Sequence, residues 1–332
     1  MAEYISTFIT GFGEVVAKRL PLDLPGAKVI SVYDGLIQYR YSGDFNRIKS
    51  VVYLNNTFYV MQSFNGAQLT FKKMVSVSIK GKHRFAINNG TYRIRFSKEN
   101  QFAKADKYLV GAAERYVGGL TKLRIDRLNP STEIWYIIRS EGVGYFAQLL
   151  FKRGTTEKDL NKGELRPEFA YLMCCCANLS ADSFVCDPFC GFGSIPKQLG
   201  KRFRVSRIVA SDIEETKIAK LKRSELKKYR NVELHSMDAT DMKVLKDGEF
   251  DAVITDPPWG FFEHIDNIDT FYSDMMDELM RILKPNGTLV LLSARKDEFL
   301  KCCQNKQLKI SKQINTLVNG KKAAVFILYK SK

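Results

Sequence analysis

From residue 183 onward, short apolar runs alternate with longer segments whose apolar residues recur every three or four positions. The runs "SFVCD" (183–187), "RIVASD" (207–212), "VELHSMD" (232–238), "FDAVITD" (250–256) and "TLVLLS" (288–293) read as strands. A short helix near 195–199, then "EETKIAKLKRSELKKY" (214–229) and "TFYSDMMDELMRIL" (270–283), carry the helical period between them, and "KPNG" is a turn before the fifth strand. Strand, crossover helix, strand is the pattern of a parallel sheet. The tail breaks it, because "KISKQINTLV" and "AAVFILYK" are joined by "NGKK". Asn-Gly is a hairpin signal, so the last two strands are expected to be antiparallel.

The amino-terminal half is an α+β mixture without repeats or low-complexity tracts. "VISVYDGLIQYRY" (29–41), "MVSVSIK" (74–80), "TYRIRF" (91–96) and "EIWYIIRS" (133–140) look like strands, and "FAKADKYLVGAAERYV" (102–117) like a helix. The polar stretch "KRGTTEKDLNKGE" (152–164) suggests a boundary near residue 160. A helix then opens at "RPEFAYLMCCCANL" (166–179), with Pro167 and Glu168 in its first turn.

At 332 residues the chain is long enough for two or three domains, and 45% hydrophobic with 27% charged residues excludes a disordered chain. No apolar run reaches the ~18 residues of a membrane span, and the first residues lack a basic segment and a cleavage site, so a cytoplasmic protein is expected. Seven cysteines, three of them consecutive at Cys174, Cys175 and Cys176, form no C-x-x-C pair and stand beside only three histidines. That excludes a disulfide framework and argues against a structural zinc; the thiols read as small buried apolar residues. The net charge is +16, with a balance of +11 over residues 1–160 (24 Lys+Arg, 13 Asp+Glu) and +5 over residues 161–332 (28 and 23). A basic excess concentrated in one half favours a polyanionic partner, nucleic acid above all.

Two motifs carry chemistry. In "DPFCGFG" (187–193), Gly191 and Gly193 occupy a strand-to-helix turn where a residue without Cβ lets the backbone approach a bound molecule. Asp212 ends the next strand, at the spacing where a carboxylate meets ribose hydroxyls. A dinucleotide would want a third glycine where Pro196 stands, which argues against a nicotinamide cofactor. A methionine-derived nucleoside has no pyrophosphate and needs instead an acid before the glycines, the position of Asp187. Asp238, ending the third strand, is placed to meet an adenine edge. Each acid alone is equally a helix cap or a turn former. Three at the ends of three successive strands, where open α/β sheets bind ligands, make a candidate site.

The second motif, "TDPPWG" (255–260), ends the fourth strand on the same rim. Two prolines stiffen the segment and leave its carbonyls free to accept. It resembles the Asp/Asn-Pro-Pro-aromatic signature of methyltransferases that modify an exocyclic amino group of a base. Such a nitrogen is a poor nucleophile because its lone pair is delocalised into the ring. Acceptors for its N–H groups, here the Asp256 carboxylate and the Pro257 carbonyl, favour a pyramidal nitrogen aimed at the methyl donor. Trp259 would stack on an extruded base. Methylation at pyrimidine C5 would instead need a cysteine nucleophile; Cys190, in the cofactor loop, reads as packing.

Taken together, "LRPEFA" (165–170), "DPFCGFGSI" (187–195), "SDI" (211–213) and "TDPPWG" (255–260) resemble, in order, the class I S-adenosylmethionine-dependent RNA methyltransferases that carry a THUMP domain, in particular the tRNA guanine-N2 enzymes. "NGTYRIRF" and "IDRLNPSTEIWYIIRSEGVGYFAQLL" resemble parts of a THUMP domain, and residues 1–70 correspond by position to the small ferredoxin-like domain that precedes it. The resemblance implies an α/β protein: a seven-stranded Rossmann-like methyltransferase fold at 161–332, a ferredoxin-like domain at 1–70 and a THUMP domain at 71–160. It implies S-adenosylmethionine bound by Asp187, Pro188, Cys190, Gly191, Gly193, Asp212, Ile213, Asp238, Ala239 and Asp256, and catalysis at Asp256, Pro257, Pro258 and Trp259. It assigns no metal and no membrane, and an RNA partner, most naturally tRNA. Arg166 joins the site on the same ground, although a helix-entry arginine is commonly a surface charge. Two departures stand out: Trp259 replaces the commoner Tyr or Phe, and Phe192 replaces a small residue between the glycines. An rRNA guanine-N2 enzyme, a DNA adenine-N6 enzyme sharing the Asp-Pro-Pro motif, and a catalytically silent RNA-binding protein are the other readings.

Overall fold

The computed structural model describes residues 1–154, 160–260 and 265–331. Residues 155–159, within the polar stretch read as a boundary, lie outside the described residues. The chain divides into two compact units, Met1–Phe8 with Val16–Gly154 and Ile9–Val15 with Thr155–Lys332.

The first unit is built on one mixed sheet. In chain order its elements are β1 (Ala2–Thr7), α1 (Gly13–Asp23), β2 (Lys28–Tyr33), β3 (Leu36–Tyr41), α2 (Phe45–Ser50), β4 (Asn56–Asn65), α3 (Phe71–Ser78), β5 (Asn89–Lys98), β6 (Gln101–Phe102), α4 (Lys107–Leu120), β7 (Lys122–Ile125), β8 (Thr132–Ile138) and β9 (Val143–Lys152). The strands lie in the order β2-β3-β1-β4-β9-β8-β5-β6, with β7 also pairing β5. Helices α3 and α4 cover one face, where Met74, Val75, Ala113 and Val117 pack on Tyr92, Phe96, Ile134, Tyr136 and Phe146. Because side chains alternate along a strand, the opposite face carries Arg93 and Arg95 of β5 beside Glu133 and Trp135 of β8, paired in parallel register.

Three local expectations change here. "MVSVSIK" is not a strand but most of α3: Thr70 caps the helix by accepting from the Lys73 N–H at 3.2 Å, and Met74, Val75 and Ser78 are buried at helical spacing. Seven residues of alternating polarity fit either period, and the cap decides. Residues 29–41 form two antiparallel strands folded back at Asp34-Gly35, with Gly35 at φ +75°. The helix expected from 102 begins only at Lys107, after Asp106 caps it by accepting from the Tyr108 N–H at 2.8 Å.

The second unit carries a seven-stranded sheet among the described residues. Its elements are α5 (Pro167–Cys175), β10 (Phe184–Asp187), α6 (Ser194–Arg202), β11 (Arg207–Asp212), α7 (Glu215–Lys222), β12 (Val232–Ser236), β13 (Phe250–Thr255), α8 (Ile268–Ile282), β14 (Leu283–Ser293), α9 (Lys296–Asn305), β15 (Ile310–Val318) and β16 (Lys321–Tyr329). The order is β12-β11-β10-β13-β14-β16-β15, the first five parallel and β16 antiparallel to both its neighbours. This is the Rossmann-like methyltransferase sheet expected from the sequence, closed by a hairpin at Asn319-Gly320, both at positive φ. The helix expected over 214–229 breaks after Lys222, and a 3-10 turn at Glu225–Lys228 follows, capped by Ser224. "KPNG" runs inside β14 as an irregularity, with Asn286 at φ +63°. Helix α8 shows why the core forms: Asn267 caps it, and Tyr272, Met275, Met276, Leu279 and Ile282 are buried along one stripe.

Residues 9–15 pack within this second unit. Phe12 is fully buried, edge-on to Phe169 with ring centroids 5.3 Å apart. Gly11 sits at φ +87°, and a Cβ there would lie 2.1 Å from the Asn315 carbonyl oxygen, so only glycine allows the approach. Glu14 pairs with Lys312 at 2.5 Å.

Candidate active site

The parallel strands β10, β11 and β13 end on one rim. After β10, the Cys190 N–H donates to the Ser211 carbonyl (2.8 Å) and the Gly193 N–H to the Cys190 carbonyl (2.7 Å), which folds the loop into a tight turn. Gly193 caps α6 at φ +81°, and a Cβ there would press within 2.8 Å of Leu221. Gly191, at φ +50°, has nothing within 4 Å of where a Cβ would stand, so the backbone faces open space.

Three of the acids converge. Asp187 is 1% exposed; its Oδ1 accepts from the Thr255 hydroxyl at 3.0 Å and the Phe189 N–H at 3.3 Å. Burial pushes its pKa up to about 7; those two hydrogen bonds oppose the shift, and the charge of Asp212 adds to it. Asp256, directly after β13, is pushed well above the carboxylate range, first by burial and then by the charge of Asp187, while the nearby Trp259 indole offsets part of the effect. Asp187 Oδ2 and Asp256 Oδ1 are both shut off from solvent with no hydrogen-bond partner among the described residues. Asp212 is tied down: Oδ2 accepts from the Gly191 N–H (3.0 Å) and Oδ1 from the Glu214 N–H (2.9 Å), with Lys217 3.7 Å away. Each oxygen keeps a second lone pair for a ligand.

The rest of the predicted set falls around this core. Pro188 and Ala239 are buried, whereas Ile213, just past Asp212, is 67% exposed and offers an apolar surface at the rim. Asp238 is exposed and accepts from the Thr240 N–H (2.8 Å) and hydroxyl (2.7 Å), the turn-forming arrangement open to any such acid. Cys190 packs against Ala210, Ile218, Leu221 and Leu226, and burial raises its thiol far above the usual range. An attacking thiolate needs the opposite environment. Arg166 pairs with the buried Glu168, Nε to Oε1 at 2.7 Å.

Sequence reasoning missed the residues that hold the Asp-Pro-Pro-Trp segment. Thr255 links β13 to Asp187. Arg295, two residues past β14, donates from Nε to the Trp259 carbonyl at 2.7 Å and pairs with Glu298 at 3.2 Å. Its own N–H donates to Ser293 Oγ (2.9 Å), which contacts the buried Tyr272 hydroxyl (2.7 Å). Burial raises the Tyr272 pKa, and the charge of Asp256 adds to the shift. The available signal was the position of Ser293 and Arg295 at the carboxyl end of the fifth parallel strand, on the same rim as the acids.

This rim suits a cationic nucleoside. Two buried carboxylate oxygens await a positive partner, glycine backbone opens onto free space, and an apolar side chain lies at the edge. Residues 153–324 match the model of the UPF0020 family, described as an RMKL-like methyltransferase domain. The chain belongs to that family and is an S-adenosylmethionine-dependent methyltransferase. Over 133 residues it is 27% identical to a tRNA (guanine(10)-N2)-dimethyltransferase of Methanothermobacter thermautotrophicus; the match covers 39% of this chain and 38% of that protein, well under two thirds of its length. TrmN from Thermus thermophilus has the same fold, with a TM-score of 0.79 at 16% identity over 99% of this chain and 100% of that one. A putative methyltransferase, SMU.472, solved with SAH, gives 0.68 at 15% identity over 100% and 98%. Among the described residues no helix is long and apolar enough to cross a membrane.

Proposed function

We propose that the protein methylates the exocyclic 2-amino group of a guanosine in RNA, most naturally tRNA. The observation that carries this reading is the Asp256 carboxylate: one oxygen is buried and has no hydrogen-bond partner among the described residues, at a proline-stiffened turn, beside Asp187 and Trp259. The activity named for the Methanothermobacter thermautotrophicus relative and the basic amino-terminal half support it. In this reading residues 1–70 are a ferredoxin-like domain, 71–160 a THUMP domain that engages RNA, and 161–332 the catalytic domain.

Asp187, Asp212 and Asp238 would hold the cofactor's amino group, ribose and adenine, with Gly191 and Gly193 shaping the loop, Pro188 and Cys190 packing it, and Ile213 and Ala239 lining the ring. S-adenosylmethionine supplies an electrophilic methyl group. Asp256 and the Pro257 carbonyl accept the two N–H groups of the target amine and keep its lone pair available. Pro258 stiffens the turn and Trp259 stacks on the base. Methyl transfer to the amine would leave its nitrogen with one proton to lose. Burial makes Asp256 more basic than an ordinary carboxylate, so it can take that proton at its open oxygen.

The test is transfer of labelled methyl groups to unmodified tRNA, rRNA and DNA side by side, followed by nucleoside digestion. Label in 2-methylguanosine from tRNA is expected; label in N6-methyladenine or in a C5-methylated pyrimidine would overturn the reading.

A further inference from the structure

The +5 balance of residues 161–332 hides a strong asymmetry. Residues 197–230 hold twelve Lys and Arg against four Asp and Glu, a balance of +8, and the remainder of 161–332 holds 16 against 19, a balance of −3. Two of the twelve are engaged locally: Arg207 pairs with Glu233 at 2.8 Å and Lys217 with Glu214 at 2.6 Å. Arg204, Lys222, Arg223, Lys227, Lys228 and Arg230 are exposed, and none has an ion-pair partner among the described residues. Topology gathers these six. Helices α6 and α7 join the successive parallel strands β10, β11 and β12, so right-handed crossovers put both on one face of the sheet, running from the acid rim back to where the strands begin. Arg204 precedes β11, Lys222 and Arg223 close α7, and Lys227, Lys228 and Arg230 lead into β12. A Cβ on Gly200 of α6 would lie 2.8 Å from the Tyr229 ring, so that helix and the 3-10 turn are in close contact, with Leu221 and Leu226 buried beneath. Cations in the last turn of α7 complement the helix dipole, which accounts for Lys220 and Lys222 but not for Arg204 or Arg230.

From this concentration we infer that the end of the methyltransferase sheet opposite the acid rim, where α6 and α7 finish, binds the phosphate backbone of a base-paired RNA stem. The inference rests on the RNA reading above and adds a contact remote from the chemistry. Strand β11 has six residues, so Arg204, which precedes it, stands about 20 Å from Asp212 at its far end. The cations at that end cannot touch the nucleotide being methylated, and an RNA held there is another segment of the same molecule. The side chains select a paired segment. The large hydrophobic residues of 197–230 are buried or half-buried except Ile213, which lies at the rim, so no exposed ring is offered for an unpaired base to stack on. A stem hides its bases and is recognised through its phosphates and its shape, which flexible cations without rings can meet. A protein-docking face would show an apolar or aromatic centre.

The test uses the full chain with a blunt RNA duplex, an unstructured single strand of the same length and unmodified tRNA. A triple variant, Lys222→Gln with Lys227→Gln and Lys228→Gln, should melt like the parent, because all three side chains are exposed and Gln is a comparable helix former. Its duplex affinity should fall about 10- to 100-fold near physiological salt, and the slope of log affinity on log salt should become shallower by about three. Single-strand binding should change little. On tRNA, KM should rise by a similar factor while kcat and cofactor affinity stay at the parent's values. A charge-matched triple near the terminal hairpin, Lys309→Gln with Lys321→Gln and Lys322→Gln, should leave the duplex slope nearly unchanged. Equal losses from the two triples would reduce the effect to net charge and overturn the proposal, as would an equal loss of single-strand binding. Unchanged duplex affinity while tRNA is still methylated would remove the stem contact and leave the function standing. If the parent neither binds nor methylates RNA, both fall. Retained duplex affinity with lost binding to polyglutamate would reassign the surface to an acidic protein segment and overturn the proposal.

Discussion

The acid rim of the carboxy-terminal sheet and the cationic face of the amino-terminal sheet use charge in opposite ways. At the rim Asp187 is buried and Asp256 half-buried, burial raises the pKa of both, the charge of Asp187 raises that of Asp256 further, and each has one interior oxygen without a hydrogen-bond partner among the described residues. Charges placed there are few, costly and individually decisive. On the other face Lys122 and Arg124 stand in water, where charge costs little and screening makes neighbours interchangeable. The difference teaches where single substitutions should be catastrophic and where they should merely add up.

The sharpest way to break the comparison is Asp256→Ala. The methyl-transfer rate should fall at least ~100-fold while cofactor and RNA affinities stay near the parent's, the mark of a group used in the transition state. A parallel collapse of cofactor binding in calorimetry would move Asp256 into the cofactor site. Asp212→Ala comes next: loss of a hydrogen bond to a charged group, about 1.5–3 kcal/mol, should weaken S-adenosylmethionine binding roughly 10- to 150-fold. Because Asp212 also anchors the Gly191 N–H, the loop should loosen with it. Unchanged affinity in a folded variant would remove Asp212 from the site.

Acid at the rim also predicts a pH dependence. With its pKa near 7, Asp187 is substantially protonated just below neutrality, and a cationic ligand favours the ionised form. Cofactor affinity should therefore fall up to about tenfold per pH unit below 7 and level off above it, with proton release seen as buffer-dependent heat in calorimetry. A flat profile between pH 6 and 8 would mean that the carboxylate stays ionised without the ligand. The smallest effect expected is that of Arg295→Gln, which removes the grip on the Trp259 carbonyl. As a positioning residue it should lower kcat about tenfold with KM and cofactor affinity nearly unchanged, whereas a general loss of folding would lower the melting temperature as well.

How much of this could be read in advance differs between the two sheets. The rim acids announce themselves because parallel strands end together and their last residues therefore meet; periodicity located those ends within two residues. Thr255 and Arg295 escaped because their roles depend on contacts across strands, Thr255 to Asp187 and Arg295 to Trp259, which no local pattern encodes. In the amino-terminal half, "MVSVSIK" misled because alternation over seven residues cannot separate a strand from a capped helix. The packing of Phe102 with Arg95 and Trp135 was hidden for a related reason: a two-residue strand has no period to detect.

The burial of Phe12 against Phe169 has a consequence for how the chain is made. Roughly 150 residues separate the two, so at about 5–20 residues per second Phe12 leaves the ribosome roughly 8–30 s before its partner exists. During that interval an apolar ring destined for a dry interior has no native seat, and it is available to chaperones or to the wrong neighbour. A fragment started at residue 155 meets the converse problem: Phe169 is present, but the segment that should cover it has never been synthesised.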